Sequence, residues 1–103
     1  MPRKIIKNKK KYSRLLITEE DGENITVSSP LMDVVNSTGT VIQAEAAASL
    51  DDNGTAAVTI YGLVDTTPAT FIDGEWVKAR FTFTIGDEVL GGVDPIEIGE
   101  VKL

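Results

Sequence analysis

Residues 76–85 carry the feature that most restricts the fold of this chain, a strict alternation of apolar and polar positions. Successive side chains of a β-strand point to opposite faces of a sheet, so this period of two predicts a half-buried strand. Gly86 and Asp87 follow and predict a turn, because glycine adopts a positive φ without steric cost. The apolar positions of the strand are Val77, Ala79, Phe81, Phe83 and Ile85.

Shorter segments of the same alternation predict further strands along the chain after residue 24. Residues 41–50 fit a strand by their alternation and a helix by their alanine-rich centre. We favour the strand, because a turn at residues 51–54 leads directly into another strand at 55–61. Paired glycines and a proline predict a break between residues 90 and 96, and the connection at 62–74 is expected to cross between sheets.

The number and spacing of these segments predict the fold class. Seven or eight short strands with a turn about every 8–12 residues indicate an all-β fold, an antiparallel β-sandwich of the immunoglobulin-like type. A length of 103 residues suits one such core. The chain has no cysteine, so aliphatic and aromatic packing must hold the two sheets together.

The charges of the chain are divided between its first residues and the remainder. Residues 1–14 hold seven of the ten basic side chains and no acidic one, a formal charge of +7, which leaves −13 for the rest of a chain of net charge −6. We therefore predict a basic N-terminal arm, residues 1–14, followed by a β-sandwich domain, residues 15–103. Fully extended, the arm spans about 46–50 Å, several times the radius of gyration of about 13 Å expected for the domain.

Three interpretations of the arm remain open, and we favour docking on an acidic surface of a neighbouring subunit. The opposite charges of arm and body are complementary between copies, which favours a homo-oligomer or ordered assembly. Contact with nucleic-acid phosphates and a solvated tail are the alternatives. The predicted partner-binding residues are Arg3, Lys4, Lys7, Lys9, Lys10, Lys11, Tyr12, Arg14 and Trp76.

Trp76 enters this set because the alternation places the lone tryptophan on the polar face of its strand. An outward tryptophan is typical of an anchor for a protein or sugar interface. The alternative is that the N-terminal segment covers this face of the strand.

Composition argues against catalysis. Without histidine or cysteine, the chain has no imidazole base, no thiol nucleophile and no zinc site built on these ligands. Most acidic residues fall in turns, where solvated charge is the usual explanation. We therefore expect no enzyme activity, no catalytic residue, no metal site and no cofactor. Calcium binding by the turn at 51–54 is the weaker alternative, since Asp51 and Asp52 are adjacent rather than spaced as in a calcium loop.

Residues 29–103 resemble small immunoglobulin-like β-sandwich proteins encoded among the virion genes of tailed bacteriophages. The resemblance lies in a Ser-Pro strand start at 29–30, the segment 39–42, a turn at 53–55 into 58–60, and the strand 76–83 closed by 85–89. It implies a structural virion component, such as a capsid decoration, head-fibre or head–tail neck protein, whose partners are capsid, portal or neck subunits.

The expected location follows from this resemblance together with the apolar segments of the chain. No apolar run approaches the roughly 18–20 residues needed to span a bilayer, and the N-terminus lacks the apolar core of a signal peptide. We therefore expect no membrane partner, synthesis in the host cytoplasm without a secretion signal, and incorporation into the virion. The alternative function is a carbohydrate- or calcium-binding surface module.

Overall fold

The computed structural model describes residues 3–5, 8–72 and 74–98, and no residue in these ranges belongs to a helix. The regular structure of the described chain consists of eight strands. In chain order they are β1 (Arg3–Ile5), β2 (Lys10–Thr18), β3 (Val27–Val35), β4 (Val41–Ala47), β5 (Ser49–Asp51), β6 (Ala57–Asp65), β7 (Trp76–Ile85) and β8 (Glu88–Ile98).

The strands form two sheets with a common core. The five-stranded sheet has the order β1-β8-β7-β3-β4, and the three-stranded sheet has the order β2-β6-β5. All pairs are antiparallel except β1 with β8, which is parallel. Buried apolar side chains from both sheets belong to a single cluster. The prediction of an all-β, antiparallel sandwich is therefore confirmed.

β7 lies at the centre of the five-stranded sheet and has the alternation predicted from the sequence. Val77, Ala79, Phe81 and Phe83 are buried, whereas the intervening side chains lie on the outer face. β7 pairs with β3 on one side and with β8 on the other. Its buried face therefore also fixes which residues of these neighbours point outward.

Two strand glycines let the sheets approach closely. A Cβ at Gly62 in β6 would lie 2.6 Å from Sδ of Met32 in β3, and a Cβ at Gly92 in β8 would lie 2.6 Å from Cδ2 of Leu15 in β2. Each glycine thus makes room for a long side chain of the opposite sheet. This packing accounts for Gly92 inside β8, which runs unbroken over Glu88–Ile98 where the sequence predicted a break.

The chain changes sheets four times between β1 and β8, and two of these crossings bear on the sequence predictions. Residues 41–50 form strands, as predicted, with β4 in the five-stranded sheet and β5 in the three-stranded one. They part at Ala48, whose N–H donates to the Pro30 carbonyl at 2.9 Å. The connection between β6 and β7 returns the chain to the five-stranded sheet, which confirms the predicted crossing. It is shorter than predicted at its start, because β6 continues to Asp65.

Candidate functional site

The first part of the basic N-terminal segment forms an edge of the five-stranded sheet. Arg3 and Lys4 belong to β1, which pairs with the end of β8. Ile5, the last residue of β1, is 2% exposed and joins the core. Lys7 lies outside the described residues. Backbone pairing and apolar burial therefore hold β1 on its own domain, which differs from the predicted arm that reaches a neighbour.

The second part of the basic segment leads into β2. The Lys9 N–H donates to Oγ1 of Thr66 at 3.0 Å, and the N–H and hydroxyl of this buried threonine donate to the Lys9 carbonyl at 3.1 and 2.7 Å. β2 then continues past Arg14 with an uninterrupted register against β6. The domain boundary predicted between residues 14 and 15 therefore falls inside a strand.

The lysines at the start of β2 form the exposed cationic part of this segment. Lys9, Lys10 and Lys11 are all exposed, and none of them forms an ion pair with a described residue. Their backbone is fixed by the contacts of β2 and Thr66. The structure thus presents these charges from a backbone that is held by strand pairing and by Thr66.

The outer face of the three-stranded sheet carries an aromatic and apolar cluster next to these lysines. Tyr12, Arg14 and Leu16 point outward from β2, where alternate residues are exposed. The register places Tyr12 opposite Leu63 and Arg14 opposite Tyr61 of β6. We call these five residues the tyrosine patch.

The geometry of the tyrosine patch is defined by ring contacts. The rings of Tyr12 and Tyr61 meet edge to face, with centroids 5.5 Å apart and an interplanar angle of 81°. Cζ of Arg14 lies 5.8 Å from the centroid of the Tyr12 ring. Such contacts are worth about 0.5–1.5 kcal/mol each, enough to order side chains that stay accessible.

The tyrosine patch has the composition of a protein interface. Tyrosine and arginine are enriched among residues that dominate binding energy, and both are combined here with exposed leucines. Tyr12, Leu16 and Leu63 are 45%, 65% and 41% exposed. A partner that covers them gains apolar burial at little cost in side-chain ordering.

Trp76 lies on the other sheet and does not join the tyrosine patch. It points from β7 to the outer face of the five-stranded sheet and is 43% exposed. The register places it opposite Glu97, which in turn lies opposite Lys4 of β1. β1 thus extends the sheet at its edge, whereas the alternative from the sequence had the N-terminal segment cover this face. Among the predicted partner-binding residues, Tyr12 and Arg14 thus lie on one outer face and Trp76 lies on the other.

An ion pair and a groove occupy the outer face of the five-stranded sheet. Nε and Nη2 of Arg80 donate to the two carboxylate oxygens of Asp33 at 2.9 and 2.6 Å. These hydrogen bonds raise the pKa of Arg80, with a further contribution from the negative charges of Asp33 and Glu45, against a smaller opposing effect of desolvation. The groove beside the pair measures about 580 Å³ and has Thr82 and Gly91 in its lining.

The acidic turn at residues 51–54 has a structural role. Oδ1 of Asn53 accepts from the Val27 N–H at 2.7 Å, and its Nδ2 donates to the Val27 carbonyl at 3.0 Å. The Asn53 amide therefore forms the two hydrogen bonds that the backbone of a neighbouring strand would form with Val27. Among the residues that the structure describes, no three acidic side chains form a group that would hold a metal ion.

The sequence predictions missed several residues of these faces. Leu16, Tyr61 and Leu63 lie on the polar side of recognisable alternations, and that position was the signal for their exposure. Asp33 had no comparable signal, because it stands inside an apolar run and pairs with Arg80 only through the register of β3 and β7.

Comparisons with family models, with curated proteins and with solved structures find no match to this chain. In the described ranges, no helix is long and apolar enough to cross a membrane. The two outer faces are therefore the basis for the functional proposal.

Proposed function

We propose that this chain is a non-enzymatic structural protein of a tailed-phage virion, which binds a neighbouring subunit through the tyrosine patch and the lysines of β2. The observation that carries the proposal is the exposure of this patch on a rigid sheet face, with Leu16 65% exposed. Binding would bury apolar side chains that now contact solvent, which is the main driving force of protein association.

The charges of the face favour a partner with an acidic rim. Arg14 and the lysines at residues 9–11 surround or adjoin the apolar part of the patch and have no carboxylate partner among the described residues. Complementary charge at the rim of an interface accelerates association and selects the partner. A protein partner is favoured over nucleic acid, because residues 15–103 carry a formal charge of −13 that a polyanion would repel.

The virion role is supported by the resemblance of residues 29–103 to sandwich proteins of tailed phages. Under this proposal the partner is a capsid, portal or neck subunit, and the protein acts as a decoration, head-fibre or neck component. The proposal places its working location in the virion after synthesis in the host cytoplasm.

The experiment measures incorporation of the protein into particles when the tyrosine patch is changed. Deleting the N-terminal segment is a poor test, because it removes Ile5 from the core. The double variant Tyr12→Ser, Leu16→Ser removes two exposed side chains and is expected to lower the copies per particle by at least about tenfold. Loss of the two ring contacts of Tyr12 is expected to lower the thermal midpoint by several degrees, so circular dichroism must show that the variant is folded at the assembly temperature.

A matched control lies on the opposite face. Val89 is 68% exposed, close to the 65% of Leu16, but belongs to the outer face of the five-stranded sheet. Val89→Ser is expected to leave incorporation unchanged. The proposal would be contradicted if the patch variant entered particles as well as the control, or if both variants lost incorporation to the same extent.

The carbohydrate-binding alternative is favoured by one observation, the exposed Trp76 on the same face as the groove at Asp33 and Arg80. Trp76 is the lone tryptophan, so its fluorescence reports on this face specifically. A saturable change on titration with one member of a glycan panel would support this alternative, and an unchanged spectrum throughout would oppose it. Calcium binding stays a prediction, which calorimetry with the metal tests.

A further inference from the structure

The described sandwich has four sheet edges, and β2 differs from the other three. β1 and β5 are three residues long, and β4 pairs with β3 through two register irregularities. β2 is nine residues long and pairs with β6 without a single irregularity. Natural proteins protect their edges by short strands, bulges, proline or charge, because an open edge exposes backbone groups that pair with other strands.

β2 has little of this protection along most of its length. It contains no proline and no bulge. Its lysines, the edge residues that most often prevent pairing, are confined to Lys10 and Lys11 at its start. The segment from Ser13 to Thr18 carries one charged side chain, Arg14, and therefore offers a regular edge to another strand.

The charges at the two ends of β2 are opposite in sign. Residues 9–11 are lysines at its start, and residues 19–21 are Glu19, Glu20 and Asp21 immediately after its end. The side chains of both groups are exposed. In an antiparallel pair of two such strands, the start of each strand lies beside the end of the other, and a two-fold axis makes both contacts alike.

The side chains favour a register centred on Leu15 over one centred on Arg14. Residues directly opposite each other point to the same face, so Leu15 facing Leu15 of the second copy keeps both outer faces on one side. Arg14 then lies opposite Leu16 of the second copy. The basic start of each strand lies near the turn at residues 19–22 of the other copy, which carries the three acids and is closed by the Gly22 N–H donating to the Glu19 carbonyl at 3.1 Å. Centring the pair on Arg14 instead would set two arginines against each other, which is destabilising.

We infer that two copies of this chain pair through the edges of β2, in an antiparallel arrangement centred on Leu15. The two three-stranded sheets become one six-stranded sheet, and the two tyrosine patches form a continuous outer surface. The inference rests on the proposed assembly function, since it names a second copy of the chain as one of the subunits bound through β2.

The first experiment measures the mass of the purified full chain by sedimentation velocity over a concentration series. The expected result is a species of about twice the 11.1 kDa of one chain, in exchange with the monomer. Its dissociation constant is expected to rise with salt, because salt screens the contacts between the two strand ends. A single species of monomer mass at every concentration would overturn the inference.

The second experiment reverses the charge at one end of the strand. The triple variant Lys9→Glu, Lys10→Glu, Lys11→Glu places acid against acid in a homodimer and is expected to weaken it at least about 100-fold. All three side chains are exposed, so the circular dichroism spectrum and thermal midpoint serve as controls for folding. Dimerisation of this variant at the original affinity would overturn the inference.

The third experiment supplies the complementary variant, Glu19→Lys, Glu20→Lys, Asp21→Lys. Alone it places base against base and is expected to be monomeric. Mixed with the first variant in equal amounts, it is expected to form a heterodimer, because each basic end then meets an acidic end. Two variants that stay monomeric in the mixture would overturn the inference, because misfolding would have been excluded by their spectra.

Particle incorporation distinguishes this inference from the proposed function. A chain that is monomeric in solution but enters particles through the tyrosine patch contradicts the β2 pairing alone. A chain that dimerises as described but whose patch variant enters particles normally contradicts the virion function alone.

Discussion

Arg14 and Arg80 lie on the outer faces of opposite sheets and differ in what holds them. Arg80 donates to both oxygens of Asp33, whose side chain is only 11% exposed. Arg14 lies over the ring of Tyr12 and forms no ion pair within the described part of the chain. On the five-stranded sheet the arginine is bound by a carboxylate of the same chain. On the three-stranded sheet the guanidinium of Arg14 stays accessible to a partner.

This difference indicates what each face contributes. An arginine bound to a buried carboxylate joins two neighbouring strands, β3 and β7, and therefore contributes mainly to stability. An arginine ordered only by a ring keeps its hydrogen-bond donors free for a second molecule. We therefore expect substitutions on the two faces to affect different measurements.

The largest effect on stability is expected at Asp33. Asp33→Ala removes two charged hydrogen bonds from a buried position, and the free energy of unfolding is expected to fall by about 2 kcal/mol. Urea denaturation followed by circular dichroism measures this change. An unfolding free energy equal to that of the unchanged protein would show that the ion pair does not hold β3 to β7.

The pH dependence of this contribution follows from the raised pKa of Arg80. A cation whose pKa is higher in the folded state contributes stability below its usual pKa, and loses it only as pH rises through the raised value. The difference in unfolding free energy between Arg80→Ala and the unchanged protein is therefore expected to stay constant from neutral to moderately alkaline pH. A difference that falls steadily within this range would contradict the assignment.

Arg14→Ala is expected to show the reverse behaviour. Because only the exposed contact with the Tyr12 ring is lost, the unfolding free energy is expected to fall by no more than about 1 kcal/mol, less than for Asp33→Ala. Incorporation into particles is expected to fall about tenfold, since a central arginine often dominates an interface. Loss of stability with normal incorporation would remove the distinction between the two arginines.

Trp76→Ser gives the smallest expected effect on assembly. Trp76 lies on the face opposite the tyrosine patch, so incorporation is expected to stay within about twofold of normal. Copies per particle, counted by quantitative mass spectrometry, check this expectation. A tenfold loss of copies per particle would indicate that the docking surface lies on the five-stranded sheet.

The fold was predictable where the sequence of a single segment shows which of its residues are buried. The alternation in β7 identified its buried residues, because strand geometry relates sequence position to face without reference to other strands. The same local signal resolved residues 41–50 as strands. The local signal failed in β8. Gly92 makes room for Leu15 of the other sheet, and in the sequence such a glycine cannot be distinguished from one that forms a turn.

The candidate site was predictable only in part, because it depends on contacts between distant segments. Charge composition identified the basic segment, but Ile5 and Lys9 gave no signal that they would bind to the sandwich. Tyr12 was selected with the lysines, whereas its contact with Tyr61 arises from the register of β2 with β6. Pairing of distant strands requires tertiary information that a single sequence does not contain.

The most direct test of the central claim is photocrosslinking inside assembled particles. A photoreactive residue replaces Leu16 in one variant and Val89 in another, two positions of nearly equal exposure on opposite faces. The account predicts a crosslink from position 16 to a virion subunit and little or none from position 89. Crosslinks from position 89 alone, or with equal yield from both positions, would contradict it.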